Sequence, residues 1–192
     1  MQRKKLPIGI QTLREIRQDD CYYVDKTPLA LQLVQQGKYF FLSRPRRFGK
    51  SLFLDTLKEL FEGHAALFKG LYAERHWNWS VKYPVLRFSF GGGVLGSVED
   101  LQQSLHAQLA RHEESCGLPQ KYPDARNRFI ELIQHLATTT GQRVVVLVDE
   151  YDKPILDRIE DSQRAQQIRE VLKDFYSVIK DSDAYIRFAF LT

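Results

Sequence analysis

The sequence predicts an α/β domain, a three-layer sandwich with helices on both faces of a mostly parallel sheet. Two observations predict it. Short apolar strands alternate with amphipathic helices along the whole chain, the pattern of a parallel sheet with crossover connections. One of these strands, Val144-Val145-Val146-Leu147-Val148, is aliphatic at every position, as expected of a strand buried on both faces. The 192 residues are enough to bury a core as one domain, and 43% hydrophobic with 27% charged residues is ordinary for a globular chain.

The elements follow in order. Thr27-Pro28 starts a helix, with threonine as N-cap and proline at the first helical position, and Gly37 closes it. Residues 38–42 form a short strand. A helix over 51–62 carries Phe53, Leu54, Leu57, Leu60 and Phe61 around much of its circumference, as expected beside a sheet, and Gly63 ends it. An aromatic connection follows, with Phe68, Tyr72, Trp77 and Trp79. Residues 84–90 read as the second strand, stopped by Gly91-Gly92-Gly93. That triple glycine reads first as a strand terminator and second as a loop beside a site.

Ser97 opens the next helix, with Asp100 in capping-box spacing and Leu101, Leu105 and Leu109 as its apolar stripe. Residues 124–137 form another, with Phe129, Leu132, Ile133 and Leu136 inward. A long helix after the aliphatic strand carries Ile168, Val171, Leu172, Phe175, Val178 and Ile179 on one face. The last element, 185–191, is a strand ending at Thr192. A parallel strand with nothing to cover it is an unnatural end. The chain is therefore expected to be the N-terminal part of a longer protein, with its domain truncated at the C-terminus.

Bulk properties exclude several classes. Cys21 and Cys116 have no paired or metal-like spacing and are expected to be free thiols in a reducing compartment. The basic start is followed by no apolar stretch of signal-peptide length, and no apolar run is long enough to span a bilayer. No membrane partner and a cytoplasmic location are expected. The net charge of +4 is mild and does not argue for nucleic acid. The five histidines are scattered, and His106 with His112 lacks helical metal-ligand spacing.

The chemistry concentrates in two places. In Phe40-Phe41-Leu42-Ser43-Arg44-Pro45-Arg46-Arg47-Phe48-Gly49-Lys50-Ser51 an apolar strand runs through a loop into Gly-Lys-Ser at a helix start. A helix N-terminus presents unpaired N–H groups and partial positive charge, so it suits phosphate. Lys50 can reach the β- and γ-phosphates there, and the Ser51 hydroxyl can join a Mg²⁺ shell. Arg44 stands where the full phosphate-loop pattern has glycine. Arg46 and Arg47 either stabilise charge developing on the γ-phosphate or anchor the loop to neighbouring acids. The second place is the end of the aliphatic strand, Asp149-Glu150, where parallel sheets bind ligands. Asp149 would hold Mg²⁺ directly or through water, and Glu150 would activate water as general base. Asp152 and Lys153 read equally as a salt bridge or as a supporting network.

Four segments in order resemble the predicted AAA-ATPase-like family: Leu6-Pro7-Ile8-Gly9-Ile10-Gln11, Tyr22-Tyr23-Val24-Asp25-Lys26-Thr27, the run from Arg44 through Leu52, and Val148-Asp149-Glu150-Tyr151-Asp152-Lys153-Pro154. An arginine-rich run in place of a glycine-rich loop is usual in that family. The resemblance implies a P-loop core of the ASCE type, with ATP and Mg²⁺ as ligands. Arg47, Phe48, Gly49, Lys50, Ser51 and Leu52 would line the phosphate site, Ser51 and Asp149 the metal, and Lys50 and Glu150 the catalytic centre. It implies a polar sensor at the tip of the next strand, for which Thr192 is the candidate. Tyr23 would stack on the adenine with Asp25 or Lys26 beside it, unless this segment is a tight turn capping the next helix. Family members typically continue into a region resembling PD-(D/E)XK nucleases, which leaves oligomerisation and nucleic acid open as partners. The functions expected are ATP hydrolysis, a nucleotide-binding switch without turnover, or a module accessory to a nuclease-like protein.

Overall fold

The computed structural model describes residues 3–45, 47–93 and 95–192. Twelve principal elements follow one another: α1 (Leu13–Gln18), α2 (Thr27–Gln36), β1 (Tyr39–Phe41), α3 (Lys50–Phe61), α4 (Ala73–His76), β2 (Val85–Ser89), α5 (Val98–Cys116), α6 (Ala125–Thr140), β3 (Val144–Asp149), α7 (Lys153–Leu156), α8 (Ser162–Asp181) and β4 (Ile186–Leu191). The four strands form one parallel sheet in the order β1-β4-β3-β2.

β3, aliphatic as far as its terminal Asp149, is buried at every position. Its alternate residues feed two cores. Val145 and Leu147, with Phe188 and Phe190 of β4, pack against Leu54, Leu57, Leu60 and Phe61 of α3 and against α1 and α2. Val144, Val146 and Val148 face the opposite way, against Leu101, Leu105, Phe129, Leu132, Phe175 and Val178 of α5, α6 and α8. Helices thus cover both faces, the predicted three-layer sandwich.

The Ser97 cap falls where the sequence places it. Ser97 accepts a hydrogen bond from the Asp100 N–H at 3.1 Å, and Asp124 accepts one from the Asn127 N–H at 2.8 Å. The start of α2 differs from expectation. Thr27 is its first helical residue, and the capping oxygen is Asp25 Oδ1, which accepts from the Thr27 N–H (2.8 Å) and hydroxyl (2.7 Å). The other Asp25 oxygen takes the Tyr72 N–H at 2.7 Å, and Thr27 Oγ1 takes the Ala73 N–H at 3.0 Å. The segment 23–27 is therefore a clip tying α2 to α4.

Candidate functional site

The loop after β1, Asp149, Glu150 and Thr192 lie at the carboxyl ends of the parallel strands, the ligand edge of such sheets. The loop after β1 leads into α3; Asp149 ends β3; Thr192 follows β4; Gly91 lies just beyond β2.

The loop's backbone explains how arginine stands at position 44. Among the described residues of the loop the left-handed conformations fall at Arg47 (φ +68°) and Gly49 (φ +73°), so Arg44 needs none of glycine's freedom. Gly49 is the N-cap of α3, and its carbonyl accepts from the Phe53 N–H at 3.0 Å. Arg44, Arg47 and Phe48 are exposed; Arg46 lies outside the described residues. Lys50 reaches back over the loop, its ammonium donating to the carbonyl oxygens of Arg44 (2.8 Å) and Pro45 (3.2 Å). Ser51 and Leu52 follow in the first turn of α3, half-buried.

Ser51 and Asp149, separated by 98 residues, meet. The Ser51 hydroxyl donates to Asp149 Oδ1 at 3.2 Å, and the Thr192 hydroxyl donates to the same oxygen at 2.9 Å. Asp149 and Thr192 are each only 4% exposed. Thr192 is fixed by its backbone, its N–H on the Val148 carbonyl (2.9 Å) and its carbonyl on the Tyr151 N–H (3.0 Å). The β4 strand thus inserts between loop strand and acid strand and delivers its tip hydroxyl to the acid. Two hydroxyls and a carboxylate are the hard-oxygen donors that Mg²⁺ takes, with no sulfur or nitrogen ligand in the set. The residues fit that ion.

Glu150 turns the chain out of β3 in the left-handed region (φ +54°), a strained conformation for glutamate. Its carboxylate lies over Gly91, where an added Cβ would stand 3.3 Å from Glu150 Cδ. Gly91 thus lies against Glu150 as well as following the end of β2. Lys153 donates to the Gly93 carbonyl at 2.7 Å and to Asp157 Oδ2 at 2.8 Å.

Two site residues escaped sequence reading. Arg87 on β2 lies between two acids, Nη1 donating to Asp55 Oδ1 at 3.0 Å and Nη2 standing 3.7 Å from Asp149 Oδ2. Asp55, one turn beyond Ser51 on α3, takes the Leu13 N–H on its other oxygen at 2.7 Å. Burial pushes the Asp55 carboxyl up from its ordinary value, opposed by the Leu13 N–H and Arg87. The only sequence signal was a charge inside an apolar strand and an acid inside an apolar helix.

Tyr23 is half-buried, its hydroxyl 3.2 Å from Thr56 Oγ1 on α3, and burial raises its pKa. Away from the site, Glu59, Glu62 and His64 bring potential metal ligands within 4.8 Å of one another. Lys58 and Arg14 already pair with those acids, so the cluster is internally neutralised.

A parallel sheet with the acid strand separated from the loop strand by one more strand, and a Gly-Lys-Ser helix start facing the acid, defines a P-loop NTPase-like domain. The chain belongs to the family described as Predicted AAA-ATPase, whose model matches residues 7–192. It is 56% identical over 193 aligned residues to an uncharacterized protein in the vnfD 5' region of Azotobacter chroococcum mcd 1. The match covers all of this chain and 37% of that relative, so the chain spans well under half of the relative's length. No solved structure matches. Among the described residues, no helix is long and apolar enough to cross a membrane.

Proposed function

We propose that the domain binds adenine nucleotide as its Mg²⁺ complex and hydrolyses it. The observation that carries this reading is the convergence of Lys50, Ser51 and Asp149 at the sheet's ligand edge, with Glu150 next in the chain. Lys50 would exchange the Arg44 and Pro45 carbonyls for phosphate oxygens, and the α3 N-terminus would donate backbone N–H groups to them. Arg47, Phe48, Gly49 and Leu52 would shape the cradle. Ser51 and Asp149 would hold the ion, which supplies charge stabilisation on the β- and γ-phosphate oxygens. Thr192 keeps Asp149 aligned. Glu150 would accept the proton of the attacking water, and Tyr23 would flank the base. The adenine preference rests on family membership.

Thermal unfolding with and without Mg²⁺-ATP tests the binding step. Ligand at about a hundred times its dissociation constant adds roughly 2.7 kcal/mol, some 5–10 °C for a domain of this size. The parent should show that shift and Lys50→Ala should lose it. An equal shift in both would remove Lys50 from the site.

Gly91→Ala is the finer probe. Its backbone φ lies outside the left-handed region, so the added methyl acts through its contact with Glu150. Steady-state assays should show turnover lowered about tenfold with nucleotide affinity retained, because small misplacements of a reacting group are costly. Unchanged turnover would show that the carboxylate's position over Gly91 is immaterial.

One observation favours a second reading, a nucleotide-binding switch with little turnover. Lys50 bonded to its own loop's carbonyls closes the loop on itself, and phosphate entry must break both bonds. Binding without hydrolysis by the parent chain would select this reading.

A further inference from the structure

The two oxygens of Asp149 are not equivalent. Oδ1 accepts the Ser51 and Thr192 hydroxyls and faces the loop. Oδ2 faces the Arg87 guanidinium at 3.7 Å. Arg87 is itself held by Asp55, whose second oxygen is fixed by the Leu13 N–H of α1. The guanidinium is thereby clamped from α3 and from the N-terminal helix, and it cannot leave Asp149 without abandoning a carboxylate that is 3% exposed.

We propose that Arg87 is a specificity-determining residue that sets the metal preference of the site by standing against the second oxygen of Asp149. The proposal rests on the Mg²⁺-nucleotide reading above. Held there by Asp55, the guanidinium stands in the approach to Oδ2 as an ion pair longer than a hydrogen bond, whereas Oδ1 faces two hydroxyls that can turn their protons away, so Asp149 would act as a one-oxygen ligand through Oδ1. Mg²⁺ requires near-octahedral geometry and takes few carboxylate oxygens, whereas Ca²⁺ accepts six to eight ligands and readily takes a carboxylate through both oxygens. An arginine that withholds one oxygen therefore disfavours the larger ion. Arg87 also places positive charge near the metal, but that repulsion acts on both divalent ions alike and cancels in their ratio. General damage to the fold cancels in the same way.

The test measures the affinity of a fluorescent N-methylanthraniloyl-ATP for this chain with Mg²⁺, with Ca²⁺ and with EDTA. The parent is compared with Arg87→Gln, Arg87→Lys and Asp55→Asn, and melting curves follow folding. The Ca²⁺-to-Mg²⁺ affinity ratio should rise roughly five- to tenfold in Arg87→Gln and stay within about twofold of the parent in Arg87→Lys, which keeps a cation for Oδ2. Asp55→Asn leaves Arg87 with Asp149 as its one carboxylate, so its ratio should hold or fall. Should Arg87→Gln fail to fold, a rise in Asp55→Asn overturns the proposal by itself. A parent that binds nucleotide equally with Mg²⁺ and EDTA overturns the metal reading, and this proposal with it. A Mg²⁺-dependent parent with an unchanged ratio in Arg87→Gln overturns the role of Arg87 alone.

Discussion

Glu150→Gln is expected to bind Mg²⁺-ATP as the parent does and to hydrolyse it about 10²- to 10⁴-fold more slowly, the range for loss of a positioned general base. Glutamine has the same shape and suffers the same backbone strain at φ +54°, so the turn that carries the side chain is preserved. The Lys153 N–H to Glu150 carbonyl bond (3.1 Å) and the Tyr151 N–H to Thr192 carbonyl bond (3.0 Å) are backbone contacts and are indifferent to the change. What is lost is the ability to take a proton. Single-turnover hydrolysis together with equilibrium binding separates the two steps, and turnover at the parental rate would remove Glu150 from the chemistry.

The largest stability effect is expected far from the site, at Arg128 of α6. Its guanidinium is 2% exposed and grips Glu113 of α5, itself 4% exposed, through Nε at 2.9 Å and through Nη2. Nη1 meets His106 Nδ1 at 2.8 Å. Arg128→Ala strands a buried carboxylate, which costs roughly 3–5 kcal/mol. For a domain of this size that lowers the melting temperature by about 10 °C. Replacing both partners, as Arg128→Met with Glu113→Leu, should recover most of the loss, because an apolar pair of similar volume removes the desolvation penalty. Thermal unfolding of the three proteins decides it; a single-mutant loss below about 1 kcal/mol would mean that water reaches Glu113.

Much of this architecture was legible in the residues. The aliphatic 144–148 run, the amphipathic stripes of α3, α5, α6 and α8, and the Ser97 cap each express a local rule, and each element formed where its rule placed it. The convergence of loop and acids was legible because strand ends in a parallel sheet share one edge. The strand order was not, because pairing β1 with β4 depends on packing rather than on local pattern. Helix α1 was missed for its length, since six residues around Leu13 and Ile16 carry too little periodicity. Arg87 and Asp55 were missed because a charge inside an apolar element looks solvent-facing until its partner, 32 residues away, is known. The part Gly91 plays beneath Glu150 is a matter of empty space, which no sequence pattern records.

The strand order also has a consequence for how the chain is made. Among the described residues β1 borders β4, the last of the four strands in chain order. As the chain leaves the ribosome, the loop after β1 and α3 emerge early, yet the strand with which β1 pairs among the described residues, 186–191, follows much later. Asp149 likewise waits 43 residues for Thr192. Contacts of such long range are slow to close, and unpaired apolar strands invite wrong partners meanwhile. The loop strand is only three residues long, and that brevity shortens the exposed edge through the interval in which nothing covers it.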